Sequence, residues 1–466
     1  MDTRARKTPG DQEIEQSLYA KHQKVYPRQV SGIFQVLRLS GVAALMGIYY
    51  LLPWLQWDGR QAMLLDLPER KFYVFGLIFW PQDFFYLAAL LVIAALSLFF
   101  FTALAGRLWC GYACPQTVWT EVFLWFERRI EGDRAARMKL DKGPWNARKL
   151  RIKGAKHLVW FAIALWTGFT FVGWFTPIRE LWHSALALST GPWETFWILF
   201  YGFATWGNAG FMREQVCIYM CPYARFQSAM FDKDTLIISY DTARGEPRGA
   251  RKRSLDYKGA GLGDCVDCSI CVQVCPTGID IRDGLQYQCI GCAACVDACD
   301  EVMDKMAYPR GLIRYTTEHA LTGGKTHLVR PRVLIYAGIL LLLSAGLVYG
   351  VATRTPLIVD IIRDRLSLYR ETGDGLIENV YTFKIVNKDV KDHEYRISVS
   401  GLPHLELKLE GEKIFAKSGE VREAVARLQV PPEELKKPSY DVRFLIEAVD
   451  NPKARIEEKA RFVGPR

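Results

Sequence analysis

Three features of the sequence predict a multi-domain membrane protein, with a five-span α-helical membrane domain, an inserted cysteine-rich module and a C-terminal β-sandwich. Five stretches stay apolar for about 20 residues each, the length that crosses hydrocarbon as a helix. Eight cysteines between Cys265 and Cys299 repeat one spacing, and beyond residue 352 polar and apolar residues alternate as they do in strands. Half of the 466 residues are hydrophobic, which suits membrane segments joined to water-facing parts.

The spans are expected at Ile33 to Pro53, Phe84 to Ala105, His157 to Thr176, Trp193 to Phe211 and Val333 to Val351. Arg38, near the start of the first, can snorkel to the headgroups. Phe72 to Trp80 is too short to span and is ended by Pro81, so it reads as an interfacial or re-entrant piece. Lys and Arg crowd the N-terminal arm and the connection from Arg107 to Lys156. The first and third connections hold few, Arg60, Arg70 and Lys71 in the first and Arg179 in the third. By the positive-inside rule the N-terminus lies in the cytoplasm, and an odd number of spans sends the C-terminal domain outside. Arg354, Arg363, Arg365 and Arg370 run against that rule. The net charge of +10 is largely this topological signal and calls for no nucleic-acid partner. No removable signal peptide is expected, because the first apolar stretch follows a long polar arm and is too long for one. The expected divisions are a cytoplasmic arm over 1–32, a membrane domain over 33–232, a cytoplasmic module over 233–332, a last span over 333–351 and an outer domain over 352–466.

The cysteine run reads Cys265-x-x-Cys268-x-x-Cys271-x-x-x-Cys275-Pro276, then Cys289-x-x-Cys292-x-x-Cys295-x-x-x-Cys299. Three closely spaced thiolates take three irons of one cubane, and the fourth of each run crosses to the other. The spacing therefore predicts a ferredoxin-like module with two [4Fe–4S] clusters. Cys265, Cys268, Cys271 and Cys299 serve one cluster, and Cys289, Cys292, Cys295 and Cys275 the other. Asp300 stands where a second Pro would be expected. All twelve cysteines fall in segments assigned to the inside, which suits reduced thiolates and argues against disulfides.

The other four cysteines form a repeat, Cys110-Gly111-Tyr112-Ala113-Cys114-Pro115 and Cys217-Ile218-Tyr219-Met220-Cys221-Pro222, each just past a span. Pro favours the first position of a helix, which puts Cys114 and Cys221 at N-caps. Free amides and the helix dipole there favour a thiolate. The helix after Cys114 should bring Val118, Val122, Trp125 and Phe126 to one face and lie along the inner membrane surface. Four thiolates could hold Cu(I), hold a third [4Fe–4S] cluster, or cycle as dithiol and disulfide. Single cysteines of this kind are otherwise ordinary buried apolar residues. Met212, Met220 and Met230 lie near in sequence. His157 and His183 read as interfacial, and nothing in the pattern asks for haem. Arg244 to Gly263 reads as a basic, Gly-rich linker or surface loop leading to the ferredoxin-like module. The C-terminal strands are expected at 380–386, 395–399, 405–409, 423–430, 442–449 and 454–462, a small sandwich without a catalytic constellation and therefore a docking domain.

Taken together, these residues resemble the FixG/RdxA/CcoG family of cytochrome c oxidase accessory proteins. The resemblance rests on Lys24-Val25-Tyr26-Pro27-Arg28, Phe79-Trp80-Pro81-Gln82-Asp83, both Cys-x-Tyr-x-Cys-Pro motifs, Glu131-Gly132-Asp133-Arg134, the eight-cysteine run, Arg363-Asp364-Arg365, Asn379-Val380-Tyr381 and Asn387-Lys388. It implies a bacterial inner-membrane protein with an immunoglobulin-like C-terminal domain that supports assembly of a cbb-type oxidase. It also implies reduction of Cu(II) to Cu(I), with Cys110, Cys114, Cys217 and Cys221 as the metal or redox site. The expected partners are oxidase subunits or copper-handling assembly proteins, and a cytoplasmic electron donor. An electron relay similar to the quinol-oxidising NapH proteins, or a non-catalytic assembly scaffold, are the alternatives.

Overall fold

The computed structural model describes residues 24–465, apart from 366 and 412. Most of the expected N-terminal arm, residues 1–23, lies outside the described residues. The chain forms two compact units, one from its segments up to 46, 98–167 and 199–334, the other from 47–97, 168–198 and 335–466. It therefore changes unit five times, and each change falls inside a helix: Ile33–Leu51, Phe84–Ala105, Ala147–Val172, Pro192–Thr205 and Pro331–Thr353.

Among the described residues, four helical stretches are long and apolar enough to cross a membrane, Ile33–Trp54, Pro81–Ala105, Ala147–Val172 and Pro331–Thr353. The expected span at 193–211 is built differently. Its α-helix covers 14 residues, Pro192–Thr205, and passes directly into a π-helical stretch, Trp206–Met212. At 1.5 Å per residue the α-helical part alone reaches about 21 Å, short of the roughly 30 Å hydrocarbon core.

In the first unit the helix Pro115–Glu131 buries Val118, Phe123, Leu124, Glu127 and Glu131. The face expected at the membrane surface, Val118, Val122, Trp125 and Phe126, shares only Val118 with this buried set. Trp125 is exposed, with the Arg129 guanidinium 4.4 Å over its ring, because the buried side is shared between apolar groups and paired charges. Phe123 stacks on Trp160, whose indole N–H donates to the Phe123 carbonyl at 3.0 Å. Glu127 accepts from Arg213 at 2.7 Å, and buried Arg137 and Lys156 stand at 3.6 and 3.8 Å. Burial raises the Glu127 carboxyl, but Arg213, Lys156 and Arg137 outweigh it and leave it below the ordinary range. A buried carboxylate ringed by cations in this way pairs charges that would each be costly alone.

The cysteine-rich module sits in the same unit. Strands Ile237–Tyr240 and Ile313–Thr316 pair antiparallel, Ile237 opposite Thr316 and Tyr240 opposite Ile313. Against them lie helices Ile270–Val274 and Ala294–Met306, with Ile238, Tyr240, Val296, Met303, Leu312 and Ile313 in the core. The first helix stops at Cys275-Pro276, whereas the second runs on through Asp300 to Met306. Asp300 accepts the Gly311 amide at 2.9 Å, so the residue in the place of Pro lets the helix continue and ties down the next turn. The stretch expected as a linker or surface loop is tied to this module by its arginines. Arg244 bonds Asp264 and the Pro309 and Arg310 carbonyls, and Arg251 reaches the Gly263 and Cys265 carbonyls.

In the second unit, residues 72–80, expected as an interfacial or re-entrant piece, belong to a small sheet. Met63–Asp66, Lys71–Val74 and Leu77–Phe79 form an antiparallel three-stranded meander. The buried Gln61 side chain donates to the Met63 and Gly173 carbonyls and accepts from the Ile178 amide. The C-terminal domain is a two-sheet sandwich. One sheet runs Glu406–Leu409, Val421–Val430, Ile377–Asn387, Leu357–Arg363, with Arg370–Glu371 also on Ile377–Asn387; the other runs Ile414–Ala416, His393–Ser400, Ser439–Ala448, Arg455–Val463. Between them Tyr381, Phe383, Phe444 and Phe462 fill the core. Leu357–Arg363, absent from the expected strands, carries apolar residues on both faces, so its period of two does not show. Lys388 and Asp83, both buried, form an ion pair at 2.7 Å.

Candidate functional site

The two cysteine runs fold alike. The residues on either side of the second cysteine of each run take left-handed backbone conformations: Asp267 at φ 51° and Ser269 at φ 54°, Gly291 at φ 69° and Ala293 at φ 56°. L-residues visit that region at a cost, and a pair of them bends the chain so that successive cysteines face inward. Two small cavities result. One is lined by Cys265, Cys268, Cys271 and Cys299. The other is lined by Cys275, Cys289, Cys292 and Cys295, with Cys271 at its edge. Each cavity thus holds three cysteines of one run and the fourth of the other. Four sulfurs around an enclosed, largely apolar space suit a cubane cluster, so the donor set fits two [4Fe–4S] groups. Burial pushes the Cys292 and Cys299 thiols up to about 12 and the Cys271 thiol up to about 11, so iron binding must displace protons.

Cys110, Cys114, Cys217 and Cys221 come together in the first unit. Cys114 caps the helix Pro115–Glu131, and Cys221 caps Pro222–Met230, each with Pro at the first position. Both capping amides reach back five residues, Cys114 to the Trp109 carbonyl at 2.9 Å and Cys221 to the Val216 carbonyl at 2.8 Å. The two motifs share this wide turn. Each sulfur lies in the field of the others: burial and the Cys114 charge push the Cys110 thiol up to about 12, with Cys217 and Cys221 adding to it and Arg107 opposing. Cys217 is pushed up to about 12 by burial and by Cys114 and Cys221. The expected readier ionisation at the cap is half present. Amide hydrogen bonds at residues 116 and 117 do favour the Cys114 thiolate, but burial exceeds them and its thiol is raised. Cys110 donates to Gln227 at 3.3 Å, and Thr117 fixes the Cys110 carbonyl at 2.6 Å. Met220 is exposed.

The four-cysteine site is packed on the cluster-binding loop. A Cβ at Gly111 would meet the Gly291 carbonyl oxygen at 2.8 Å and Cys292 Cα at 2.9 Å, so only glycine allows this approach. Arg107 donates to the Tyr287 and Ala224 carbonyls and to the Cys289 carbonyl at 3.2 Å. Tyr315 donates to the Gly291 carbonyl at 2.6 Å and meets the Tyr112 hydroxyl at 3.2 Å. Arg38, expected at the headgroups, is buried and donates to the Cys292 carbonyl and to Gln35. None of these positioning residues carried a spacing signal, although Gly111 and Tyr112 lie inside the first motif.

Sequence models of three families match. The one described as "4Fe-4S dicluster domain" covers residues 212–318, "4Fe-4S binding domain" covers 87–132, and "IG-like fold at C-terminal of FixG" covers 347–465. The chain is 40% identical over 432 residues to the nitrogen fixation protein FixG of Rhizobium meliloti, covering 85% of this chain and 82% of that protein. Protein RdxB of Cereibacter sphaeroides is 43% identical over 409 residues, 85% of this chain and 86% of its own. Protein RdxA of the same organism is 41% identical over 414 residues, 85% and 87%.

Proposed function

Because the chain belongs to the FixG/RdxA/RdxB family and carries its iron–sulfur domains, we propose that it is a membrane oxidoreductase that reduces Cu(II) to Cu(I) at the site of Cys110, Cys114, Cys217 and Cys221. On this reading it acts during assembly of a cbb-type cytochrome c oxidase. When bound, the two clusters supply one-electron transfer from a cytoplasmic donor. The chain's own part is to hold that module against the thiols that receive the metal. The close approach of Gly111 to Gly291 and Cys292 carries the reading, since it joins the two sets of cysteines through one backbone contact. Soft thiolates favour Cu(I) over Cu(II), and product stabilisation of that kind draws the one-electron reduction forward.

The test is anaerobic. Detergent-purified protein is reduced with dithionite, freed of excess reductant and given Cu(II), with Cu(I) read by a chromophoric chelator. Wild type is expected to yield Cu(I) in proportion to its reduced clusters. Cys110→Ser and Cys217→Ser should each abolish the yield with their eight irons intact, and the double variant should add little, since residues of one unit are not additive. Equal yields from wild type and both variants would exclude this site.

A second reading has one observation in its favour. The family model covering 87–132 is a 4Fe-4S binding domain, and it includes Cys110 and Cys114. On that reading the four thiols hold a third cluster, and iron analysis gives twelve irons per chain rather than eight.

For topology, the clustering of Cys114 with Cys217 supports five spans. Both lie on one face, and Ala147–Val172 crosses between them, so a return crossing is needed and only the helical run 192–212 is available. That each change of unit falls in one of five helices favours the same count.

A further inference from the structure

Outside the cysteine sites, Asp234, His319 and His327 bring one carboxylate oxygen and two imidazole nitrogens within 4.8 Å of one another. We propose that these three residues bind one divalent first-row transition ion, Zn(II) or Cu(II). The proposal stands apart from the copper-reductase reading and needs neither cluster.

The geometry is close to what such an ion requires. Zinc–nitrogen and zinc–oxygen bonds of about 2.0–2.2 Å at tetrahedral to right angles leave neighbouring ligand atoms roughly 3–3.5 Å apart. Here His319 Nδ1 stands 2.9 Å from Asp234 Oδ1, and His327 Nδ1 stands 3.6 Å from the same oxygen. The His327 side chain is 66% exposed, so it can close the remaining gap, and solvent can reach the site.

The frame around the ligands is fixed by its own hydrogen bonds. Asp234 lies in a turn in which Asp232 accepts the Asp234 amide at 3.0 Å, and buried Thr235 donates to the Ala103 carbonyl at 3.0 Å. His319 starts from an amide bonded to the Lys233 carbonyl at 3.1 Å, on a short helix capped by Thr317. Thr317 in turn meets the Thr326 hydroxyl at 2.8 Å, next to His327. The nearby cations do not compete for the carboxylate. Arg330 and Arg332 pair with Asp232, at 3.2 and 3.7 Å.

The donor chemistry selects the class of ion. Two imidazoles and one carboxylate suit zinc and copper rather than calcium or magnesium, and copper(II) should bind the tighter of the two. Three protein ligands leave a position for water. An ion here would pin residues 322–330, which lead into the last long helix, to the turn at Asp232.

Zn(II) alone is the probe, because it undergoes no redox chemistry with the clusters. Full-length protein in detergent, with iron and sulfide per chain equal across samples, is dialysed against buffered free Zn(II). Wild type is expected to bind one equivalent more than His319→Gln and than His327→Gln, or to bind it more than about tenfold more tightly. His327→Gln changes an exposed side chain, so its folding is not in question. A second readout uses trypsin at Lys325. Zn(II) should slow that cut in wild type and leave it unchanged in both variants. The same stoichiometry and affinity in wild type and His327→Gln, or Zn(II) protection that survives in both variants, would overturn the site.

Discussion

The hydrogen at Gly111 decides how near the four thiols come to the cluster loop. A methyl there meets the backbone of that loop, 2.8 Å from the Gly291 oxygen and 2.9 Å from Cys292 Cα, and backbone cannot yield as a side-chain tip can. Gly111→Val should cost about 1–3 kcal/mol, the usual penalty of overpacking. It should slow Cu(II) reduction by more than any change in iron content explains, as read by iron analysis beside the chelator assay. Asp141 offers a test through pH. Burial raises its carboxyl, but hydrogen bonds from Lys153 at 2.5 Å, Lys24 at 2.7 Å and Tyr26 at 2.6 Å win and hold it well below the usual carboxylate range. A folded-state pKa below the unfolded one stabilises above the ordinary Asp value near pH 4, and that stability is lost as the pH falls further. Asp141→Asn should therefore lower the melting point in detergent at pH 7, by an amount equivalent to about 1 kcal/mol for a partly exposed cluster of this kind. The gap between wild type and variant should begin to narrow once the pH falls below about 4 and go on narrowing as it is lowered further.

Among the elements, the helix Ala294–Met306 is the informative one. The ferredoxin spacing leads one to expect Pro at residue 300, yet the helix carries on for six more residues and Asp300 holds the Gly311 amide. Asp300→Pro should break it, at about 3 kcal/mol or more, by clashing with the Val296 carbonyl. It should also cost iron per chain, since Cys299 immediately precedes it. Asp300→Asn should keep both. The cysteine runs were legible because ligand spacing is local: three thiolates three residues apart must converge whatever surrounds them. The sandwich strands were legible where one face is wet, as at Tyr395 and Ile397, and not at Leu357–Arg363, where both faces are apolar. The span at 193–211 was read by hydropathy, which does not distinguish an α-helix from the π-helical stretch after Thr205. Arg38 and Arg107 were not legible as positioning residues, because their partners are carbonyl groups far along the chain, and carbonyls carry no sequence signal.

For the whole molecule, the five helical passages lead to a topological prediction. Reporter fusions after Gly284 should be active inside the cell, and fusions within the sandwich, such as after Gly401, should be active outside. Activity outside after Gly284 would put the four-cysteine site on the wrong face for the proposed cytoplasmic donor, and activity inside after Gly401 would remove the odd number of spans. A further consequence comes from the contact between Gly111 and Gly291. A ferredoxin is ordinarily a diffusing carrier, and its reaction with a partner is second order, quickened by opposite charges and slowed by salt. On the function proposed above, carrier and acceptor site are one chain packed backbone to backbone at Gly111, so the internal transfer would be first order. Its rate should hold constant on tenfold dilution of the protein and across a wide range of ionic strength, leaving the encounters with the external donor and with Cu(II) as the concentration-dependent steps.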